Sequence, residues 1–267
     1  MNWEVPIDLK TNFISGYTYH KLCKWSVCPR YFQKFDPNEI KENDLVFLNL
    51  DFVERFAQFL NMNPPNERFR LITQNSDRPF TEDFLRILDP FCSRIYPVNS
   101  TVSDHKISKI PLGYNDQSSG ILDGKDLGFV EKKDLIWLNF RKGHHPSRIE
   151  CLNHFIEKPW VTYRNEVPYL SVSDYYDTLK NFKYCISPRG AGIDTHRIYE
   201  SLIYGVIPVV KSCELDDLYK NFPILLVDDW SQVTREFLED NYKQKIEDLH
   251  NWTSKNKNWF LPEYWIK

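Results

Sequence analysis

From Asp44 onward the chain alternates between short apolar runs and segments whose apolar positions recur every three to four residues. Residues 45–50 form an apolar run closed by Asp51, and residues 52–60 carry apolar side chains at helical spacing, which predicts a strand followed by a helix. The unit repeats: 69–73 reads as a strand, 74–79 as a polar turn, 81–88 as a helix and 94–98 as a third strand. Residues 1–43 are irregular and rich in aromatics, and no period assigns them.

The stretch 114–133 changes character, with Asp, Ser, Gly and Lys in place of large apolar residues, and reads as a linker. A second series follows. Strands are predicted at 135–140, 160–163, 182–187, 206–210 and 224–227, separated by helices at about 147–156, 173–181, 195–204 and 214–219, with further helices after Ser231. Such alternation predicts an α/β fold of two Rossmann-type parallel-sheet domains facing a cleft. Their boundaries fall at 1–115 and 134–250, around a linker at 116–133, with 251–267 as a tail packing back on the first domain. In open parallel sheets ligands sit beyond the carboxyl ends of the strands, so residues just after the strands carry the search for function.

Composition narrows the classes. The chain has 267 residues, 42% hydrophobic and 27% charged, and its 18 Phe, 15 Tyr and 8 Trp are ample for packed cores. A net charge of −3 with both signs interspersed gives no broad cationic face for nucleic acid or a membrane surface. No window approaches the roughly 20 apolar residues of a spanning helix. The opening residues lack a basic region followed by an apolar stretch, so the expectation is a cytoplasmic protein without membrane insertion. Six scattered cysteines, without paired metal-ligand spacing, predict free thiols. The acceptor-like triplets at 99–101 and 251–253 read as chance matches to a glycosylation signal.

Candidate chemistry concentrates between Ser187 and Glu200, a strand end, a glycine-containing loop and a helix start. Pro188 keeps Ser187 extended, and Gly190 and Gly192 suit a backbone that needs positive φ or close approach to a ligand. Asp194 or Thr195 can cap the helix. Its free N–H groups and partial positive charge suit a diphosphate, with Arg197 in the first turn and Arg189 in the loop as guanidinium donors. His196 and Arg197 share a face with Glu200, which is placed to accept hydrogen bonds from ribose hydroxyls. Packing offers a plainer account: Ile198, Leu202 and Ile203 make an apolar side, Gly205 ends the helix, and Arg197 and Glu200 form a surface ion pair. A second basic cluster, Arg141, Lys142 and Arg148, follows the strand at 135–140 and would face the same crevice. His144 and His145 are adjacent, a poor spacing for two ligands on one metal, and read as loop histidines.

Ser187-Pro188-Arg189-Gly190, Asp194-Thr195-His196-Arg197, Glu200-Ser201-Leu202, Gly205 and Ile207-Pro208-Val209 together resemble the donor-site signature of exostosin-like glycosyltransferases, the small soluble versions encoded by large algal viruses above all. The resemblance implies a GT-B arrangement, an N-terminal acceptor-binding domain, a C-terminal domain for a UDP-sugar donor, and inverting transfer to a glycan or glycoprotein, with xylose as one candidate sugar. It implies that Arg197 and Arg141 hold the diphosphate and Glu200 the ribose.

Chemistry adds that arginines and a helix start stabilise charge on a leaving diphosphate without a divalent metal or other cofactor, and no Asp-x-Asp triplet occurs in the chain. Inversion needs a base from the other domain: Asp77, in the turn after the second strand, is the first choice and Asp51, after the first strand, the second. Either could instead cap a helix. Two other classes compete: a binding protein of the same fold without turnover, and a nucleotide or phosphate-ester enzyme. The chain carries neither a Gly-x-Gly-x-x-Gly fingerprint nor a Walker loop, which argues against dinucleotide oxidoreductases and P-loop enzymes.

Overall fold

A computed structural model describes residues 13–31, 35–116, 130–165, 170–255 and 257–267. The linker expected at 116–133 lies mostly outside the described residues. The chain divides into two compact units: an N-terminal unit of residues 13–112 joined by Gly192–Asp194 and Trp259–Lys267, and a C-terminal unit of residues 113–191 and 195–258. Each holds one all-parallel sheet, so the fold class is α/β with two Rossmann-type sheets.

In the N-terminal unit the elements run α1 (Gly16–Lys21), β1 (Trp25–Val27), β2 (Leu45–Asn49), α2 (Val53–Met62), β3 (Phe69–Gln74), α3 (Glu82–Leu88) and β4 (Cys92–Pro97). The sheet order is β1-β2-β3-β4. Val53, Phe56, Ala57 and Leu60 are the buried stripe of α2, spaced as an amphipathic helix requires. They pack with Val46, Leu48, Leu71, Leu88 and Ile95 on one face of the sheet. On the opposite face Phe47 meets the His20 ring of α1 edge-on at 5.6 Å. Both α1 and β1 lie in the stretch the hydrophobic pattern left unassigned. Ser15 caps α1 in a reciprocal pair with Thr18.

In the C-terminal unit the elements are β5 (Asp134–Leu138), α4 (Pro146–Phe155), β6 (Val161–Tyr163), α5 (Val172–Leu179), β7 (Phe182–Ile186), α6 (His196–Ile203), β8 (Ile207–Lys211), α7 (Asp216–Tyr219), β9 (Leu225–Val227) and α8 (Arg235–Lys255). The order β6-β5-β7-β8-β9 puts β6 on one side of β5 and the remaining strands on the other. The chain therefore reverses direction across the sheet at the β5–β7 pair, and the loops leaving those two strands bound the position where such sheets take ligands. Tyr184 and Cys185 of β7 and Ile136 and Trp137 of β5 are fully enclosed, as strands buried on both faces must be.

After α8 the chain ends in α9 (Pro262–Trp265), which belongs with the N-terminal unit. There Ile14 donates its N–H to the Phe260 carbonyl at 2.6 Å and the Tyr96 hydroxyl donates to the Lys267 carbonyl. All six cysteines are free, and five are buried. Among the described residues no helix is long and apolar enough to cross a membrane.

The expectation of positive φ at Gly190 and Gly192 is not met. The left-handed glycines among the described residues are Gly113 and Gly205. Gly205 follows α6 with φ 67°, and its N–H reaches the Leu202 carbonyl at 3.2 Å while the Val206 N–H reaches Ser201 at 2.9 Å, closing the helix. A Cβ in this conformation costs about 1 to 2 kcal/mol. Gly205→Ala is therefore expected to lower Tm by roughly 2 to 8 °C in a thermal melt, at some 2 to 4 °C per kcal/mol for a chain of this size. An unchanged Tm would show that the α6 end tolerates an ordinary residue.

Candidate functional site

The loops at the β5–β7 reversal are built around Arg148. It lies in the first turn of α4 and is only 5% exposed, a burial that a guanidinium accepts only with its donors engaged. Its Nε donates to the Arg189 carbonyl at 2.8 Å and its Nη1 to the Arg141 carbonyl at 2.9 Å. One side chain thus ties the loop after β7 to the loop after β5. The sequence reading made Arg148 a direct donor ligand. Instead it turns inward, because backbone carbonyls at two strand ends offer acceptors that its position on α4 can reach together.

Arg197, in the first turn of α6, is half-buried beside Phe140, and its guanidinium carbon lies 5.9 Å from the ring centroid. Arg148 approaches the same ring at 5.6 Å. Phe140 follows β5 and is 6% exposed, so it is a fixed apolar surface for both. Burial lowers the Arg197 pKa, but the neighbouring Tyr175, Cys185 and Glu200, with a hydrogen bond to Tyr175, outweigh it and hold the group charged. Glu200 is 6% exposed and accepts the Tyr176 hydroxyl at 3.0 Å. The surface ion pair expected between Arg197 and Glu200 does not form: the carboxylate is drawn to Tyr176 and the guanidinium to Tyr175. Nε of Arg197 and Nε of Arg189 are both buried without a hydrogen-bond partner, and neither arginine forms an ion pair with a carboxylate among the described residues.

Around them the other predicted residues take different roles. Arg141 and Lys142 are exposed at the end of β5. Arg189 is half-buried and directs Nη2 at the Ala191 carbonyl at 3.5 Å. Ser187 and Pro188 are buried, the Ser187 hydroxyl donating to the Cys185 carbonyl at 3.3 Å, and Gly190 is buried beside them. Nδ1 of His196 lies 2.8 Å from the Gly113 carbonyl. Thr195 is the N-cap of α6 but makes no side-chain cap bond. Asp194 does not cap either: in the N-terminal unit its carboxylate accepts the Leu112 N–H at 2.9 Å.

His145, read from sequence as a loop residue, is the N-cap of α4 and accepts the Ser147 N–H on Nδ1 at 3.2 Å. Burial first, and then the charges of Arg189 and Arg148, lower its pKa.

In the N-terminal unit, both candidate bases lie at carboxyl strand ends. Asp51 follows β2 and is exposed, with Oδ1 accepting the Ser76 hydroxyl at 2.6 Å. Asp77 follows β3, is exposed, and has no hydrogen bond or ion pair with a described residue. Neither is a helix N-cap: that position is Phe52 for α2 and Thr81 for α3. Sequence reasoning missed Asn75 and Asn99, which occupy left-handed backbone at the ends of β3 and β4 with φ 59° and 53°.

No protein-family model and no curated protein matches the chain. Among solved structures it is similar to a crystal structure described as the glycotransferase of kitacinnamycin, at 11% identity and a TM-score of 0.41 over 82% of this chain and 73% of that one.

Two outcomes follow from the geometry. Arg148→Ala leaves the Arg141 and Arg189 carbonyls without their charged donor and is expected to cost about 2 to 5 kcal/mol, read as a lower midpoint in chemical denaturation. A cost below about 0.5 kcal/mol would show that the loops stand without it. For His145, an anion placed by Arg189 opposes the repulsion that lowers its pKa. Saturating inorganic pyrophosphate should therefore raise the His145 pKa, followed by the ring-proton chemical shift against pH. A fixed value would place any bound anion away from Arg189.

Proposed function

We propose that the chain is a glycosyltransferase that takes its sugar from a UDP-sugar held by the C-terminal unit. The observation that carries this reading is a pair of arginines, Arg189 and Arg197, that flank the β5–β7 reversal without carboxylate partners. Guanidinium groups without a direct carboxylate ion pair at that position suit a diphosphate. In this reading Arg197 and Arg189 grip the diphosphate, Arg141 and Lys142 screen it from the exposed side, and the start of α6 adds its N–H groups. Glu200, fixed by Tyr176, accepts from the ribose hydroxyls. The donor-signature resemblance from Ser187 to Val209 points the same way.

The acceptor hydroxyl oxygen attacks the anomeric carbon as the bond from that carbon to the phosphate oxygen breaks. The electron pair leaves with UDP, whose new negative charge the arginines stabilise. The hydroxyl proton passes to the carboxylate of Asp77, which has no internal partner to compete for it. Attack opposite the leaving group inverts the anomeric centre. The donor site neutralises the diphosphate with arginines, so transfer proceeds in EDTA. The acceptor is a glycan hydroxyl, and xylose is the first sugar to test.

Arg197→Ala should weaken UDP binding at least tenfold by calorimetry, because one charge-assisted contact to phosphate is worth about 1.5 to 3 kcal/mol. Asp77→Asn should bind UDP as the parent does and lose transfer by at least about 100-fold, as removal of a general base does. Retained turnover in Asp77→Asn removes Asp77 as the base and brings Asp51 forward. Unaltered UDP affinity in Arg197→Ala removes the donor assignment. UDP-sugar binding with no transfer to any glycan would favour the binding-protein reading.

A further inference from the structure

Within the N-terminal unit, a closed circuit of hydrogen bonds runs through the turn that precedes Asp77. Asn99 is 1% exposed and donates from Nδ2 to the Ser76 carbonyl at 3.3 Å. Its Oδ1 accepts the Asp194 N–H at 2.8 Å. The Asp194 carboxylate accepts the Leu112 N–H at 2.9 Å, and the Leu112 carbonyl accepts Nε2 of Gln74 at 3.1 Å. Oε1 of Gln74 accepts the Asn75 N–H at 2.9 Å, and Asn75 is bonded to Ser76, where the circuit began.

The backbone is shaped to let this circuit close. Asn75 and Asn99 both adopt the left-handed conformation that asparagine tolerates better than most residues, and the Asn99 carbonyl takes the Phe80 N–H at 3.1 Å. Gly192 comes so near that a Cβ there would stand 2.9 Å from Nδ2 of Asn99. The glycine that the sequence suggested for approach to a ligand closely approaches the Asn99 amide. Beside the circuit, Nδ2 of Asn49 holds the Asn75 carbonyl at 2.9 Å and Asp51 holds the Ser76 hydroxyl.

The geometry points to Asn99 as a positioning residue: its amide fixes the Ser76–Asp77 turn and the Gly192–Asp194 segment as one hydrogen-bonded body. Asp194 continues directly into Thr195 and α6. Within the N-terminal unit the same amide therefore sets the turn that carries the carboxylate assigned as base. The catalytic consequence rests on the proposed function, whereas the circuit itself does not.

Asn99→Gly tests this, since glycine keeps φ near 53° and removes both side-chain bonds. Hydrogen exchange of the variant should rise together at the Asn75, Leu112 and Asp194 amides while the β7 and β8 amides stay protected. A rise confined to Asp194, or a uniform rise throughout the chain, overturns the circuit. Gly192→Ala, which pushes on Nδ2 without touching Asn99, should give the same pattern and serves if Asn99→Gly does not fold. With a UDP-sugar and acceptor, kcat should fall about 10- to 100-fold, the scale of a displaced catalytic group, while the donor KM stays within about twofold. Asn99→Asp keeps the acceptor for the Asp194 N–H and should recover part of kcat. An unchanged kcat in Asn99→Gly overturns the positioning role. A parent protein without transferase activity would refute the functional reading, and the exchange experiment would still decide the circuit.

Discussion

A guanidinium taken out of water must find acceptors, and for Arg148 those acceptors are the carbonyls of Arg141 and Arg189. Much of the C-terminal site depends on that requirement. The two carbonyls belong to the loops that leave β5 and β7, the strands where the sheet reverses its order. Satisfying one buried cation therefore ties those two loops together. The side chain of Arg189, whose backbone is held, is left to present its charge, and Phe140 supplies a rigid surface against which Arg197 is set.

Neither Arg189 nor Arg197 forms an ion pair with a carboxylate among the described residues, although Glu200 stabilises the Arg197 charge from nearby. Glu200 lies one helical turn from Arg197, and its carboxylate accepts the Tyr176 hydroxyl. Tyr175 stabilises the Arg197 charge without cancelling it, because a phenol accepts a hydrogen bond while remaining neutral. Packing alone has no use for such an arrangement, since an ion pair with Glu200 would satisfy both groups. In the proposed reading a diphosphate is the anion that engages these guanidinium groups. Burial first, with the charges of Arg189 and Arg148 adding to it, lowers the His145 pKa.

Much of this was legible in the hydrophobic pattern. Strands buried on both faces give unbroken apolar runs, and α2 and α6 have one apolar stripe each, so the alternation and the α/β class could be read directly. The first elements could not: β1 is three residues long and α1 six, too short for either period to show. Strand-end reasoning placed Arg141 and Arg189 in the loops after β5 and β7, because position after a parallel strand is a sequence property. It could not tell that Arg148 turns inward, since that depends on carbonyls brought close only by folding. Asn99 was hidden for a related reason. As the first residue of an Asn-Ser-Thr triplet it resembles a surface glycan acceptor, yet it is buried and its amide is spent on Ser76 and Asp194. Of the two glycines read as giving positive φ or close approach to a ligand, neither has a positive φ, and Gly192 lies close against the Asn99 side chain.

The most direct measurement is a crystal structure of the protein saturated with UDP in the presence of EDTA. The account predicts ordered density for the diphosphate between the loops that follow β5 and β7, with its oxygens on the guanidinium groups of Arg197 and Arg189 and the ribose toward Glu200. UDP bound elsewhere, or a β5–β7 crevice left without nucleotide at saturation, would contradict it.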